Sequence, residues 1–406
     1  GAYDCISFKC IPLYWITSTK IMTNMIKLNL ENKMNSKIQE AENEKNIFDE
    51  IEEAEEIILY EDDSYQVPPD DLIAYNELRS CADLFRMYKQ EILMIQPEFQ
   101  REAVWRNTDQ TRFIDSLIKQ LPIPSMCFSV DYKTRKWQVI DGLQRMSAII
   151  RFFSDENWRL SNLPDIDPKI SGKQVKDFHD SSSDLYPYYE RIENLTLPIT
   201  VLRCDYSKKS HTNYLFTIFH RLNTGGIKLN NQEIRNCIYN GSFNNRLKQI
   251  DQYSAWINVN KEQGRKKHRF ITVQILLRFF AFYDEHKKYN GRLAKFLNDY
   301  MEKNRNLDEN KLDKKEELFK DTVDIMNDHV TQLTQRKSIA VLESVMFGIA
   351  SNLNIIKSMK QEEIRSLFNK LLQHNSLSPD VLKEDLASKD KVIARLNAAR
   401  EIFSGL

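Results

Sequence analysis

The sequence predicts an α+β fold: a mixed strand-and-helix core followed by a large all-helical half. Three observations predict it. The 406 residues include only 10 glycines, where usage of about 7% would give roughly 28. The 11 prolines are uneven, with none between Pro198 and Pro379. Finally, short apolar runs alternate with helical spacing up to about residue 205, and only helical spacing follows about residue 210. A chain with so few turn formers suits long helices, not a sandwich or barrel of many short strands.

Residues 1–34 carry no informative pattern. Gly1-Ala2-Tyr3 reads as a tag or upstream segment, with Met22, Met25 and Met34 as alternative starts. Residues 35–74 read as an acidic, disordered arm. Within it, 36–71 hold 14 acids against Lys37 and Lys45, a net −12 hidden in a total of 58 Lys+Arg and 58 Asp+Glu. The remainder is therefore +12, an asymmetry that leaves nucleic acid or nucleotide partners open. Pro68-Pro69-Asp70-Asp71 marks the boundary.

The mixed core spans 75–205. Leu78 to Lys89 has helical spacing, and Ile92 to Ile95 is a strand stopped by Pro97. Asp109 to Lys119 puts Phe113, Ile114, Leu117 and Ile118 on one helical face, with Thr108 as the expected N-cap. Met126 to Val130 and Trp137 to Ile140 are strands joined by a turn. Leu143 to Phe153 is a helix with Met146, Ile149, Ile150 and Phe153 inward, and Leu197 to Leu202 is a strand. The helical part, 206–406, reads as Tyr214–Arg221, Asn231–Tyr239, Val273–Tyr283, Arg292–Lys303, Leu312–Asn327, Ile339–Leu353, Glu362–Leu372 and Lys391–Ile402. Its first portion, 206–245, is expected to complete the site.

Several classes are excluded. The six cysteines form no C-x-x-C pair, no zinc-spaced His cluster accompanies them, and a reduced, cytoplasmic chain is expected. No apolar run reaches the ~18 residues of a membrane span. There is no G-x-x-x-x-G-K-[ST], G-x-G-x-x-G or H-E-x-x-H.

Three segments hold chemistry. Strand, Asp141-Gly142-Leu143-Gln144-Arg145, helix is the first. Gly142 lets the backbone approach a ligand, the helix start offers N–H groups to an anion, Arg145 adds a donor fork for phosphate, and Asp141 would hold Mg²⁺ or orient a water. From these residues alone a purely structural cap, with Arg145 on the surface, is the favoured reading. The second is Pro97 to Arg101 with Trp105, an arginine beside an aromatic, suited to phosphate or base, although a surface arginine packing its stem on Trp105 is the favoured reading in isolation. The third runs Phe219-His220-Arg221-Leu222-Asn223-Thr224-Gly225-Gly226 and on to Glu233 and Arg235. These last two point to different sides of their helix, so at most one faces a given site.

Taken in order, these motifs resemble the N-terminal, GmrS-like domain of GmrSD-type modification-dependent restriction systems, in the ParB/sulfiredoxin-like superfamily. The carriers are I-x-P-x-F-Q-R-x-x-x-W (Ile95 to Trp105), the helix ending Leu-Pro-Ile-Pro at Pro124, V-I-D-G-x-Q-R (Val139 to Arg145), and Arg-Leu-Asn-Thr-Gly-Gly with Leu229 and Glu233-x-Arg235. The resemblance implies a ParB/sulfiredoxin-like core, an Asp-Gly-Gln-Gln-Arg motif tied to binding and hydrolysis of a nucleoside triphosphate with Mg²⁺, and a role in bacterial anti-phage defence. Carried over by position, Asp141, Gln144 and Arg145 would be catalytic. Gln100, Arg101, Gly142, Arg145, Arg221 and Asn223 would bind the nucleotide, with Asp141 as the Mg²⁺ ligand. Leu143 departs from the motif's third position, and no His-Asn-His nuclease segment follows, so cleavage of DNA would need a separate nuclease or effector chain. The alternatives are a non-catalytic DNA-binding or regulatory module switched by nucleotide and, less well supported, a nuclease.

Overall fold

The computed structural model describes residues 68–95, 105–222, 229–260, 270–329, 338–378, 380–382 and 385–405. The N-terminal segment and nearly all of the acidic arm lie outside them.

Strand β1 (Ile73–Ser80) leads directly into helix α1 (Cys81–Lys89). This corrects the expected helix from Leu78. The Ser80 hydroxyl accepts from Asp83 N at 3.1 Å, an N-cap that starts the helix at Cys81. Strand β1 also begins at Ile73, so the boundary drawn at residue 74 falls inside it. Next come β2 (Leu93–Met94) and α2 (Asn107–Ile118). The N-cap of α2 is Arg106, not Thr108, because the Asp109 carboxylate accepts from Arg106 N at 3.3 Å and closes the first turn earlier. Then follow β3 (Met126–Asp131), β4 (Trp137–Asp141), α3 (Leu143–Ser154), α4 (Val175–His179), α5 (Tyr186–Asn194) and β5 (Thr196–Cys204). In α3 the deeply buried aromatic is Phe152, while Phe153, expected inward, is half-buried.

The five strands form one mixed sheet in the order β1-β5-β3-β4-β2. The pairs β1/β5 and β3/β4 are antiparallel, and β5/β3 and β4/β2 are parallel. Alternation sends Met126, Phe128, Val130 and Val139 to one face, where they pack with Leu84, Ile114 and Ile149 of α1, α2 and α3. It sends Cys127, Ile140, Leu202 and Cys204 to the other. That second face joins the helical half. There, α6 (Lys209–Leu222) lays Leu215, Phe216 and Phe219 on the sheet. Each large side chain buried this way contributes roughly 1.5–3 kcal/mol.

The rest is helical: α7 (Asn231–Ile238), α8 (Ser242–Ile250), α9 (Ser254–Val259), α10 (Ile271–Glu285), α11 (Leu293–Asn304), α12 (Glu309–His329), α13 (Ile339–Ser351), α14 (Leu353–Ile356), α15 (Gln361–Leu372) and α16 (Lys389–Phe403). Helices α10 and α13 are buried on nearly every side and form the centre. Between them Arg278 Nε donates to Glu343, and Arg395 Nη2 of α16 reaches the same carboxylate at 3.2 Å. Arg305, following α11, ties the two parts: it donates to the carbonyl of Tyr206 beyond β5 at 2.8 Å and to that of Ile238 in α7. Among the described residues no helix is long and apolar enough to cross a membrane.

Candidate functional site

The site sits where β4 ends. Pairing with β3 carries Asp141 to the sheet edge opposite Cys127, next to a register shift in the hairpin. Gly142 then turns the chain at φ 95°, the left-handed region, and α3 begins at once. A Cβ at this position would lie 2.5 Å from Met126 Cγ, so the residue is fixed as glycine by both conformation and space. No side chain caps α3. Its first N–H groups, on Leu143, Gln144 and Arg145, therefore form an anion-accepting helix start.

Arg145 lies one turn in. Its Nη2 donates to Asp141 Oδ2 at 2.8 Å and its Nη1 donates to the Pro124 carbonyl just ahead of β3. The side chain is 15% exposed, against 37% for Asp141. Burial pushes the guanidinium below its ordinary value, and the Asp141 carboxylate opposes that shift. The field of Asp141 also reaches inward: burial first, then Asp141, pushes the Cys127 thiol up to about 12. Asp141, Gly142 and Arg145 are thus brought together as the sequence predicts.

Gln144 takes a second role. Its Oε1 accepts from Trp105 N at 3.2 Å, and Trp105 packs edge-on against Phe113 at 5.6 Å. This ties the end of the Pro97–Trp105 segment to the first turn of α3. Gln100 and Arg101 of that segment lie outside the described residues, as does Asn223. Arg221 sits at the exposed C-terminal end of α6, the helix that packs on β4. Leu143, the departure from the family motif, packs against the cores on both sides of the sheet.

The third segment folds inward. Glu233 accepts from Asn230 N at 2.8 Å, and Arg235 Nε donates to Asn298 Oδ1 at 2.8 Å above the Phe216 ring. Both side chains are fully buried, so they join α7 to its own cap, to α6 and to α11. Sequence reasoning missed the Pro124 carbonyl and Met126. Leu-Pro-Ile-Pro was the available signal, since it ends one helix and starts a strand beside Gly142.

As for metal, no group of three or more His, Cys, Asp or Glu among the described residues could hold an ion. Asp141, half-exposed and already paired through Oδ2 with Arg145, offers one carboxylate, and Mg²⁺ can be bound by one or two carboxylates plus substrate phosphates while keeping its waters.

No curated protein and no solved structure matches the chain. Residues 81–240, from α1 to just beyond α7 and including the Asp141–Arg145 corner, match the family model of the GmrSD restriction endonuclease, N-terminal domain.

Proposed function

We propose that the end of β4 binds the phosphates of a nucleoside triphosphate with Mg²⁺ and promotes its hydrolysis, and that the protein serves a bacterial anti-phage defence system in this way. One observation carries the reading: an uncapped helix start follows a left-handed glycine, with a half-buried arginine pinned over it by Asp141 and Pro124. The N–H groups of α3 and the Arg145 fork would take phosphate oxygens. Asp141 would hold Mg²⁺ through its carboxylate, or orient the attacking water. As water attacks the terminal phosphorus, the bond to the leaving phosphate oxygen breaks, and Arg145 and the helix start stabilise the charge that develops. Gln144 would keep Trp105, and with it the start of α2, against the site.

The test is phosphate release from the common nucleoside triphosphates with Mg²⁺, with and without DNA. Asp141→Ala and Arg145→Ala are each expected to lower release about 100-fold or more. Absence of nucleotide binding by calorimetry across the whole set would overturn the reading. A second reading, nucleotide as a switch for DNA or for a partner nuclease or effector chain, is favoured by the +12 charge outside residues 36–71. It predicts salt-dependent DNA binding without turnover.

A further inference from the structure

The sheet carries a polar row that leads away from Arg145. In the pairing register Asp141 of β4 faces Cys127 of β3, Cys127 faces Thr200 of β5, and Thr200 faces Asn76 of β1. The row therefore crosses four strands at right angles, on the face shared with Cys127 and Leu202. Its members are linked. Thr200 Oγ1 donates to Asn76 Oδ1 at 2.9 Å, and Ser125 Oγ lies 3.1 Å from Thr200 Oγ1. Ser125 directly follows Pro124, whose carbonyl accepts from Arg145. Asn76 and Ser125 are exposed and Thr200 and Asp141 are half-exposed, while Cys127, between Asp141 and Thr200 in the register, is buried in the apolar core.

Two features set the row apart from ordinary solvated surface. Further along the same face the strands present Ile140, Leu202 and Cys204 to an apolar core. Ser129 and Gln138 bring a further hydroxyl and amide to that face, but Ser129 is buried against the Tyr206 hydroxyl, whereas Ser125, Thr200 and Asn76 open to solvent at the edge that holds Asp141. Moreover, Thr200 is hydrogen-bonded to both Asn76 and Ser125, which fixes how their donors and acceptors are arranged. They are also neutral, so they suit sugar hydroxyls and base edges more than phosphate. Three strand spacings give a row about 14 Å long.

We propose that Ser125, Thr200 and Asn76 form the nucleoside seat of the site. The phosphates would lie at Gly142 and Arg145, the sugar over Ser125 and Thr200, and the base toward Asn76. This rests on the reading of the Asp141–Arg145 corner as a phosphate site and extends it to the part of the ligand that distinguishes a nucleotide from a bare polyphosphate.

Calorimetry with a nucleoside triphosphate and with inorganic tripolyphosphate, both with Mg²⁺, tests it. Ser125→Ala and Thr200→Val are each expected to weaken the nucleotide about 3- to 10-fold, one hydrogen bond's worth, and the double variant about 10- to 100-fold. Tripolyphosphate affinity stays unchanged, whereas Arg145→Ala weakens both ligands. Valine keeps the branching that strand β5 favours, and Asn76→Ala, on the edge strand, gives an independent variant with the same expectation. If the wild type binds the nucleotide and all four of these variants bind it equally well, the seat is refuted and the phosphate site survives. If the wild type binds neither ligand, the phosphate site falls and the seat with it.

Discussion

At Gly142 two independent restraints meet: φ of 95° and the side chain of Met126 in the space a Cβ would need. Gly142→Ala is therefore expected to cost about 1–3 kcal/mol from the left-handed backbone alone, with more from displacing Met126. Urea denaturation measures it, and adding Met126→Ala should restore only part of the loss, since the backbone strain remains. A second residue-scale prediction concerns Asp71. His211 Nδ1 accepts from Asp205 N at 3.1 Å, so its proton sits on Nε2, which donates to Asp71 Oδ1 at 2.7 Å. Lys208 donates to the same carboxylate. The Lys208 bond first, and then His211, pulls the carboxyl from 3.8 to about 2. Its folded value lies below the unfolded one, so its stabilisation is present above pH 3.8 and disappears as pH falls through about 2. The difference in urea midpoint between wild type and Asp71→Asn should be constant near neutrality and shrink across that window. A difference persisting at its acid end would refute it. At this scale the sequence was legible where side chains carry the role. Asp141 and Arg145 stand four apart across a helix start, a spacing that brings them together. The Pro124 carbonyl, 21 residues from Arg145, has no side-chain signature and could not be read.

Elements were legible in proportion to how one-sided their environment is. Helices α10 and α13 are apolar over whole turns and declared themselves, apart from a residue or two at their ends. Strand β1 did not. It is an edge strand, exposed at Ile73, Tyr75 and Leu78 (the last to 70%), so the alternation that marks a half-buried strand is missing. Helices α4, α5, α8 and α9 were also unread, being five to nine residues long and without a sustained apolar stripe. The packing of α13 on α16 depends on a glycine. A Cβ at Gly348 of α13 would come within 2.8 Å of the Ala399 carbonyl and 2.5 Å of Phe403 Cδ2, both in α16. Gly348→Ala should push the helices apart at a cost of about 1–3 kcal/mol despite alanine's better helix propensity. A thermal midpoint equal to wild type would show that α16 shifts without penalty.

Over the whole molecule, one core runs from the sheet to the last helix, with Cys127 and Ile140 in the same apolar cluster as Phe403. The division at residue 205 suited the change in periodicity, but periodicity cannot show that both sides bury their faces against each other. Inside this core the Arg278–Glu343–Arg395 cluster sets two cations against one carboxylate, all nearly inaccessible. Burial dominates in pushing Arg395 below its ordinary value. Glu343→Ala would strand both guanidiniums and is expected to cost about 3–5 kcal/mol. Replacing all three with well-packed apolar residues should be near neutral or stabilising. Equilibrium denaturation of the two variants separates the cases, and equal loss in both would refute this account.

The clamp made by Arg305 has a consequence for how occupancy is felt at a distance. Because it holds the loop after β5 and the end of α7 to the helix array, and because Cys127 and Ile140 share one apolar core with the central helices, the central helices and the sheet are expected to open together. A ligand that binds only the folded state protects every part that opens with its site. At a hundred times its dissociation constant the gain is about 2.7 kcal/mol. That gain should appear as roughly hundredfold slower deuterium uptake at the most protected amides of α10 and α13, although neither helix carries a residue of the Asp141–Arg145 corner.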